Sequence, residues 1–313
     1  MTRARHIYIY SPSGAVRDTA AFRRGIARLE GLGHAVEVDA AALTTYTRFA
    51  GDDATRLAAI ARAAASGADV ALIARGGYGL TRLLPAIDYP QIAQAIANGM
   101  QWVGMSDFTA LQMALLARVG LHPHAITWAG PTLTGDFGVQ GEVNDTMLTC
   151  LDDMLGGRRG NISWHIDEEE APHADLHVAS ALLWGGNLAM LCALLGTRYF
   201  PQIAQGILFV EDVGEHPYRI ERMLSQLLHA GVLARQRALL LGQFTEYQLT
   251  RHDQGFTLGT VVDWLRHQLP GVPVLTHLPL GHVPTKALLP VGAHVSLTLA
   301  GGRDALLSWG HHG

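Results

Sequence analysis

The sequence predicts an α/β protein in two domains. Residues 1–150 would form a mostly parallel, doubly wound sheet, 151–175 a linker region, and 176–313 a mixed α/β domain. Three observations carry this expectation. The first half alternates short apolar runs with segments of helical period, the pattern of a parallel sheet covered on both faces. A glycine-rich stretch over 130–160, ending in Gly156-Gly157-Arg158-Arg159-Gly160, separates the halves. The second half resumes the alternation but closes on two neighbouring runs, His294 to Ala300 and Ala305 to Trp309, that read as a hairpin.

Element by element, Ile7 to Tyr10 is the first strand, and Ser11-Pro12-Ser13-Gly14 turns the chain after it. Thr55 to Ala65 places Leu57, Ile60, Ala61 and Ala64 on one helical face, and Gly67 stops that helix before the strand Val70 to Ala74. This strand runs into Arg75-Gly76-Gly77-Tyr78-Gly79. A helix with Pro90 in its first turn ends at Asn98-Gly99, and the strand Gln101 to Gly104 follows. Phe108, Leu111, Leu115 and Val119 then recur at helical spacing, so Ser106 falls on a strand-to-helix turn. Ile126 to Ala129 is a further strand. Beyond the glycine-rich stretch, Val178 to Leu183 reads as strand, Trp184-Gly185-Gly186-Asn187 as a tight turn and Asn187 to Leu195 as a core helix. Ile207 to Val213 is a strand ending in Glu211-Asp212. Pro217 opens a helix with Ile220, Met223, Leu224, Leu227 and Leu228 as its core stripe. Strands Ala238 to Phe244 and Pro273 to Leu278 flank a helix around Val261 to Leu269, and the latter strand leads to Gly281-His282.

Composition narrows the function. With 49% apolar residues in a chain of 313, disorder and a small disulfide scaffold are excluded. Lys plus Arg number 23 against 27 for Asp plus Glu, so no cationic excess exists to neutralise a nucleic-acid backbone. Two cysteines, Cys150 and Cys192, in apolar surroundings suit a reducing compartment. The first apolar run is far shorter than a signal-peptide core, and a cytoplasmic location is expected. Leu176 to Thr197 carries no Asp, Glu, Lys or Arg, yet its central glycines suit a strand, turn and core helix rather than a membrane span.

In open α/β sheets, groups at the carboxyl ends of strands converge on the crevice that binds ligands. Ser106, Glu211, His282 and the Gly76-Gly77 turn all occupy such ends. Gly104-Met105-Ser106-Asp107-Phe108 is similar to a nucleophile elbow, although Phe108 stands where a second glycine is usual. A serine capping the following helix accounts for the same residues. A serine hydroxyl is a poor nucleophile at neutral pH and needs an imidazole, usually oriented by a carboxylate. His282 on a strand-end loop is a candidate base, and Glu211 or Asp212 a candidate carboxylate. An acidic cap for the helix at Pro217 is the bland reading of both acids. The glycines of 75–79 lack the lysine of a phosphate loop and suit an oxyanion donor or a plain turn. His122 with His124, and His173 with His177, have spacings that metals use, but Pro123 and the lack of an acidic partner speak against zinc. No metal or cofactor is expected.

Taken together the residues resemble the LD-carboxypeptidase family, specifically the muramoyltetrapeptide carboxypeptidases, whose clan also holds the microcin C self-immunity proteins. The resemblance rests on Pro12-Ser13-Gly14, Phe49-Ala50-Gly51, Arg75-Gly76-Gly77-Tyr78-Gly79 with Arg82-Leu83-Leu84, and Gly104 to Ala110. It continues through Gly185-Gly186-Asn187-Leu188, Leu208 to Val213 with Glu215 to Arg219, and Gly281-His282 with Leu289-Pro290-Val291-Gly292. It implies a serine carboxypeptidase acting on the L,D bond to the terminal D-alanine of murein tetrapeptides during cytoplasmic cell-wall recycling, commonly as a homodimer. By motif, Ser106 is the nucleophile, His282 the base and Glu211 its orienting acid, in an active site where the two domains meet. Backbone N–H groups of Asp107 and Gly77 form the oxyanion hole. Gly76, Tyr78, Asn187, Arg75, Arg82 and Arg219 are candidates for binding the muropeptide. Ala129 departs from the histidine many members carry there, and Val283 to Lys286 lies in a variable loop. Two alternatives stay open: a microcin C immunity type hydrolase of peptidyl-nucleotides, and a noncatalytic module that binds a nucleotide or muropeptide.

Overall fold

A computed structural model describes residues 4–121, 123–157, 159–167 and 175–310. The chain divides into two compact units. The first comprises 1–157 with 196–201 and 288–292, and the second 158–195, 202–287 and 293–313.

In the first unit, in chain order, come β1 (His6–Tyr10), α1 (Thr19–Gly31), β2 (Ala35–Val38), α2 (Asp53–Ala65) and β3 (Val70–Ile73). They are followed by α3 (Leu80–Leu83), α4 (Tyr89–Ala97), β4 (Gln101–Gly104), α5 (Thr109–Val119), β5 (Thr127–Ala129) and α6 (Asp145–Leu155). Strands β2, β1, β3, β4 and β5 lie side by side in that order and run parallel. Helix α4 packs on both α2 and α5, while α1 packs against β2 and the turn at Leu133–Phe137. The order reverses between β1 and β3, so the loops after these strands, 11–14 and 75–79, border the switch point where open sheets bind ligands. The core beneath is apolar and closed, with Ile7, Ile9, Ile73 and Phe108 buried and Tyr10 set edge-on to Trp102 at 5.6 Å.

The second unit begins with β6 (Gly160–His165), β7 (Leu176–Asn187), α7 (Leu188–Leu194), β8 (Ile207–Val213), α8 (Pro217–His229) and β9 (Ala238–Thr245). It ends with α9 (Leu258–Gln268), β10 (Val274–Leu275), β12 (His294–Ala300) and β13 (Asp304–Trp309), while β11 (Leu289–Val291) belongs to the first unit. Strands β10, β9, β8 and β7 are parallel, and β12, β13 and β6 extend the same sheet antiparallel. The fold is the two-domain mixed α/β class that the sequence predicts.

Several local expectations give way. The glycine-rich stretch and the region read as a linker hold α6, capped by Asn144, and strand β6. Trp184 to Asn187 is no turn, because β7 continues through it in register with β8 from Leu183–Ile207 to Asn187–Glu211. Gly185 has φ +132°, and a Cβ there would collide with the Phe209 carbonyl, so the glycines serve close strand approach. The strand expected over Pro273 to Leu278 is cut to Val274–Leu275, and His277 takes φ +63° just beyond it. Leu289–Val291 leaves the second half of the chain to pair antiparallel with β5.

Candidate active site

The turn that carries Ser106 grows out of β4. After Gly104, Met105 is extended, and Ser106 takes φ +64°, a conformation that strains any residue with a Cβ. Residues Ser106–Phe108 form one 3-10 turn leading into α5. No side chain caps the start of that turn or of α5, so Ser106 is not there as a helix cap. The turn needs no glycine at 108, because Phe108 points into the core, where it blocks any Cβ at Gly104 at 2.8 Å. The close approach falls elsewhere. A Cβ on Gly76 would stand 2.8 Å from Ser106 Cβ and 3.0 Å from its Oγ. The second glycine of this elbow is supplied across space by the loop after β3.

Asp107 holds that loop in place. Its carboxylate is 1% exposed, and Oδ2 accepts from Ser13 Oγ at 2.7 Å and from Leu80 N–H at 2.9 Å. Burial raises its pKa, opposed by these bonds, by the Gly79 N–H and by the charge of Arg56. One side chain thus ties together the turns after β1, β3 and β4. Arg56, fully buried, donates to Pro12 C=O and lies over the Phe49 ring, bracing the same loops from below. Gly14 N–H donates to Gly76 C=O at 3.2 Å. Gly77, at φ +107°, leaves its N–H without an acceptor among the described residues. Asp107 N–H belongs to the first turn of a helix, where donors lack internal partners.

The second unit builds an acid–imidazole pair. Glu211 and Asp212, both buried, end β8, and neither caps α8, whose N-cap is His216. His282 Nδ1 donates to Glu211 Oε2 at 2.9 Å, leaving Nε2 as a proton acceptor. Asn187 Nδ2 bridges the two acids, 3.3 Å from Glu211 Oε1 and 2.9 Å from Asp212 Oδ1. Asp212 is spent on structure, since its Oδ2 accepts Ala189 N–H at the start of α7. Burial pushes the Asp212 carboxyl up to about 6, and the Glu211 charge adds to the rise. At His282 burial works against the charged ring, but the bond to Glu211 and its charge outweigh that, and the pKa is raised. Glycines make this reach possible. A Cβ on Gly242 would meet Leu280 C=O at 2.5 Å, and one on Gly281, at φ +149°, would meet Gln243 C=O at 2.8 Å.

The remaining candidates fall into three groups. Arg75 and Tyr78 stand beside Gly77 in the first unit, with Arg48 over the Tyr78 ring. Arg82 is held by Asp53 at 3.0 Å, and Arg219 lies exposed against Tyr218 and Glu215. Asn187 is both the N-cap of α7 and a donor to Glu211, a positioning role that its sequence context did not reveal. Arg56, the Asp107 side chain and Gly242 are also beyond motif reading, because the loops they brace lie far off in the chain. Among the described residues no group of three or more His, Cys, Asp or Glu is placed to hold a metal ion; His122 and His173 lie outside those residues. No described helix is long and apolar enough to cross a membrane.

Comparison with known proteins decides the family. Models of the LD-carboxypeptidase N-terminal and C-terminal domains match residues 7–125 and 180–297. The chain belongs to the LD-carboxypeptidase family. Its sequence is 31% identical over 230 residues to a murein tetrapeptide carboxypeptidase of Pseudomonas aeruginosa, covering 70% of this chain and 68% of that one. The crystal structure of a muramoyltetrapeptide carboxypeptidase from Oxalobacter formigenes superimposes with a TM-score of 0.85 at 36% identity, covering 98% of this chain and 99% of that one. The microcin C7 self-immunity protein MccF shares the fold at a TM-score of 0.82 and 22% identity, covering 100% of this chain and 99% of that one. As an LD-carboxypeptidase family member the chain is a peptidase, and the strained serine and the buried His–Glu pair are the features of it that suit acyl transfer.

Proposed function

We propose that this protein is a serine LD-carboxypeptidase that removes the terminal D-alanine from murein tetrapeptides, with Ser106 as nucleophile, His282 as base and Glu211 as its orienting acid. The observation that carries the reading is the pair formed by buried Glu211 and His282, whose Nε2 is left to take a proton. Ser106, set at a strained φ and packed on Gly76, supplies the hydroxyl.

Ser106 Oγ attacks the carbonyl carbon of the bond between the diamino acid and D-alanine, and its proton passes to His282 Nε2. The oxygen that gains charge is received by the N–H groups of Asp107 and Gly77; one such donor is worth about 10²–10³ in turnover. His282 then protonates the departing amine, D-alanine leaves, and Ser106 holds the acyl group as an ester. Water attacks that ester, gives its proton to His282, and the peptide acid leaves as Ser106 is reprotonated. Glu211 keeps Nδ1–H engaged throughout and stabilises the imidazolium. Free thiols at Cys150 and Cys192 agree with work in the cytoplasm on cell-wall fragments being recycled, and a homodimer belongs to the same reading.

The test is incubation with an L,D-tetrapeptide and its D,D-pentapeptide analogue, followed by mass spectrometry. One alanine is lost from the tetrapeptide alone if the reading holds. Loss from the pentapeptide reassigns the bond, and cleavage of a peptidyl-nucleotide with neither peptide touched replaces the substrate class.

A further inference from the structure

We infer that Arg17, Arg48 and Arg75 form a carboxylate-binding site for the C-terminal residue of the substrate, and that this site restricts cleavage to the last peptide bond. The inference rests on the reading above that Ser106 attacks that bond.

The loop after β1 links the three residues, through Ala15 to the backbone of Arg48 and the side chain of Arg75, and along the chain to Arg17. Ala15 N–H donates to Arg48 C=O at 3.0 Å, Ala15 C=O accepts from Arg75 Nη1 at 2.9 Å, and Arg17 follows two residues later. The like charges of Arg17 and Arg48, after burial, lower the Arg75 pKa. The Tyr78 ring lies 5.7 Å beneath the Arg48 guanidinium. Five arginines of this unit, Arg5, Arg24, Arg56, Arg62 and Arg82, each lie against an aspartate, and Arg28 is held by the carbonyls of Phe137 and Gly141. Arg17, Arg48 and Arg75 face no aspartate among the described residues, although the chain as a whole carries a net charge of −4. Guanidinium groups gathered without a counter-charge repel one another, and a bound anion offsets that repulsion.

Position identifies the anion. A Cβ on Gly77 would lie 3.4 Å from Arg75 Nη2, so the cations begin where the oxyanion donor ends. In a peptide bond to a terminal residue, the free carboxylate is three bonds from the scissile carbonyl carbon, within roughly 5 Å. A substrate whose carbonyl oxygen rests on Gly77 N–H therefore presents its terminal carboxylate to this cluster. An internal peptide bond would offer a neutral amide there and leave the cations unmatched.

The experiment compares kcat and KM for the tetrapeptide acid and for the same peptide as its C-terminal amide, in the wild type, in the Arg17→Ala/Arg48→Ala double variant and in Arg75→Lys. The wild type is expected to prefer the acid by about 10²-fold, the scale of hydrogen bonds to a charged group. That preference should fall at least about 10-fold in the double variant, mainly through KM. Arg75→Lys keeps the charge but loses the planar fork, and its preference should fall between the two. Unchanged thermal midpoints show that the variants fold. A wild type indifferent to the amide, or variants that keep the full preference while cleaving the tetrapeptide, overturn the site and leave the proposed activity standing. A wild type that cleaves neither peptide overturns the activity, and the site with it.

Discussion

At Ser106 the cost and the use of a conformation can be separated. A non-glycine residue at φ +64° is strained by roughly 1–2 kcal/mol. Ser106→Gly should therefore be more stable by about 1 kcal/mol in urea denaturation and yet release no D-alanine. Ser106→Ala should be equally inactive without that gain, and D-alanine release by purified Ser106→Ala would remove the serine from the mechanism. Gly76 is the complementary position: Gly76→Ala puts a Cβ 2.8 Å from Ser106 Cβ, and the displaced hydroxyl should cost about 10² in kcat with the fold kept. His282 must be neutral to act as base. Its pKa is raised, so kcat/KM should fall as pH drops through a value above the usual imidazole figure of about 6.5. Glu211→Gln removes the charge responsible for the rise, and the acid limb should move to lower pH while kcat drops by about 10⁴, as for a triad acid made neutral. An unmoved limb would mean that another group titrates. The same shift stabilises the fold below about pH 6.5 and is lost as pH rises through the raised pKa.

Among the elements, two contacts do more than their local sequence suggests. The Asp107 carboxylate joins the turns after β1, β3 and β4. Asp107→Ala leaves the Leu80 and Gly79 N–H groups and the Ser13 hydroxyl without their acceptor, a loss of about 2–4 kcal/mol measurable as a lower denaturation midpoint. Strand β7 depends on glycine at 185, where φ is +132° and the neighbouring strand's carbonyl fills the space of a Cβ. Gly185→Ala should unfold or severely destabilise the second sheet, by more than about 3 kcal/mol, and the signal is a lost cooperative transition. The tight-turn reading of Trp184 to Asn187 failed for this reason: adjacent glycines signal either a turn or a close strand approach, and only the neighbour at Phe209 distinguishes them.

For the whole molecule, chain order and spatial grouping differ. Strand β11, Leu289–Val291, covers the β5 edge of the first unit although it lies more than a hundred residues beyond it. A fragment ending at residue 157 would expose that edge, and gel filtration should show it aggregating where the full chain does not. Periodicity revealed the alternating strands and helices and the closing hairpin, because burial on one face imposes apolar spacing wherever an element forms. Ordered motifs revealed the family, because turns that expose a hydroxyl or a backbone N–H need particular residues at short range. Spacing left Glu211 and Asp212 equivalent, and only the fold puts the imidazole on the first and the α7 backbone on the second. The partnership of Gly76 with Ser106, the clamp at Asp107 and the unmatched arginines around Ala15 were likewise invisible beforehand. Each depends on which residues distant in the chain come within a few ångströms, and a linear pattern holds no record of that distance.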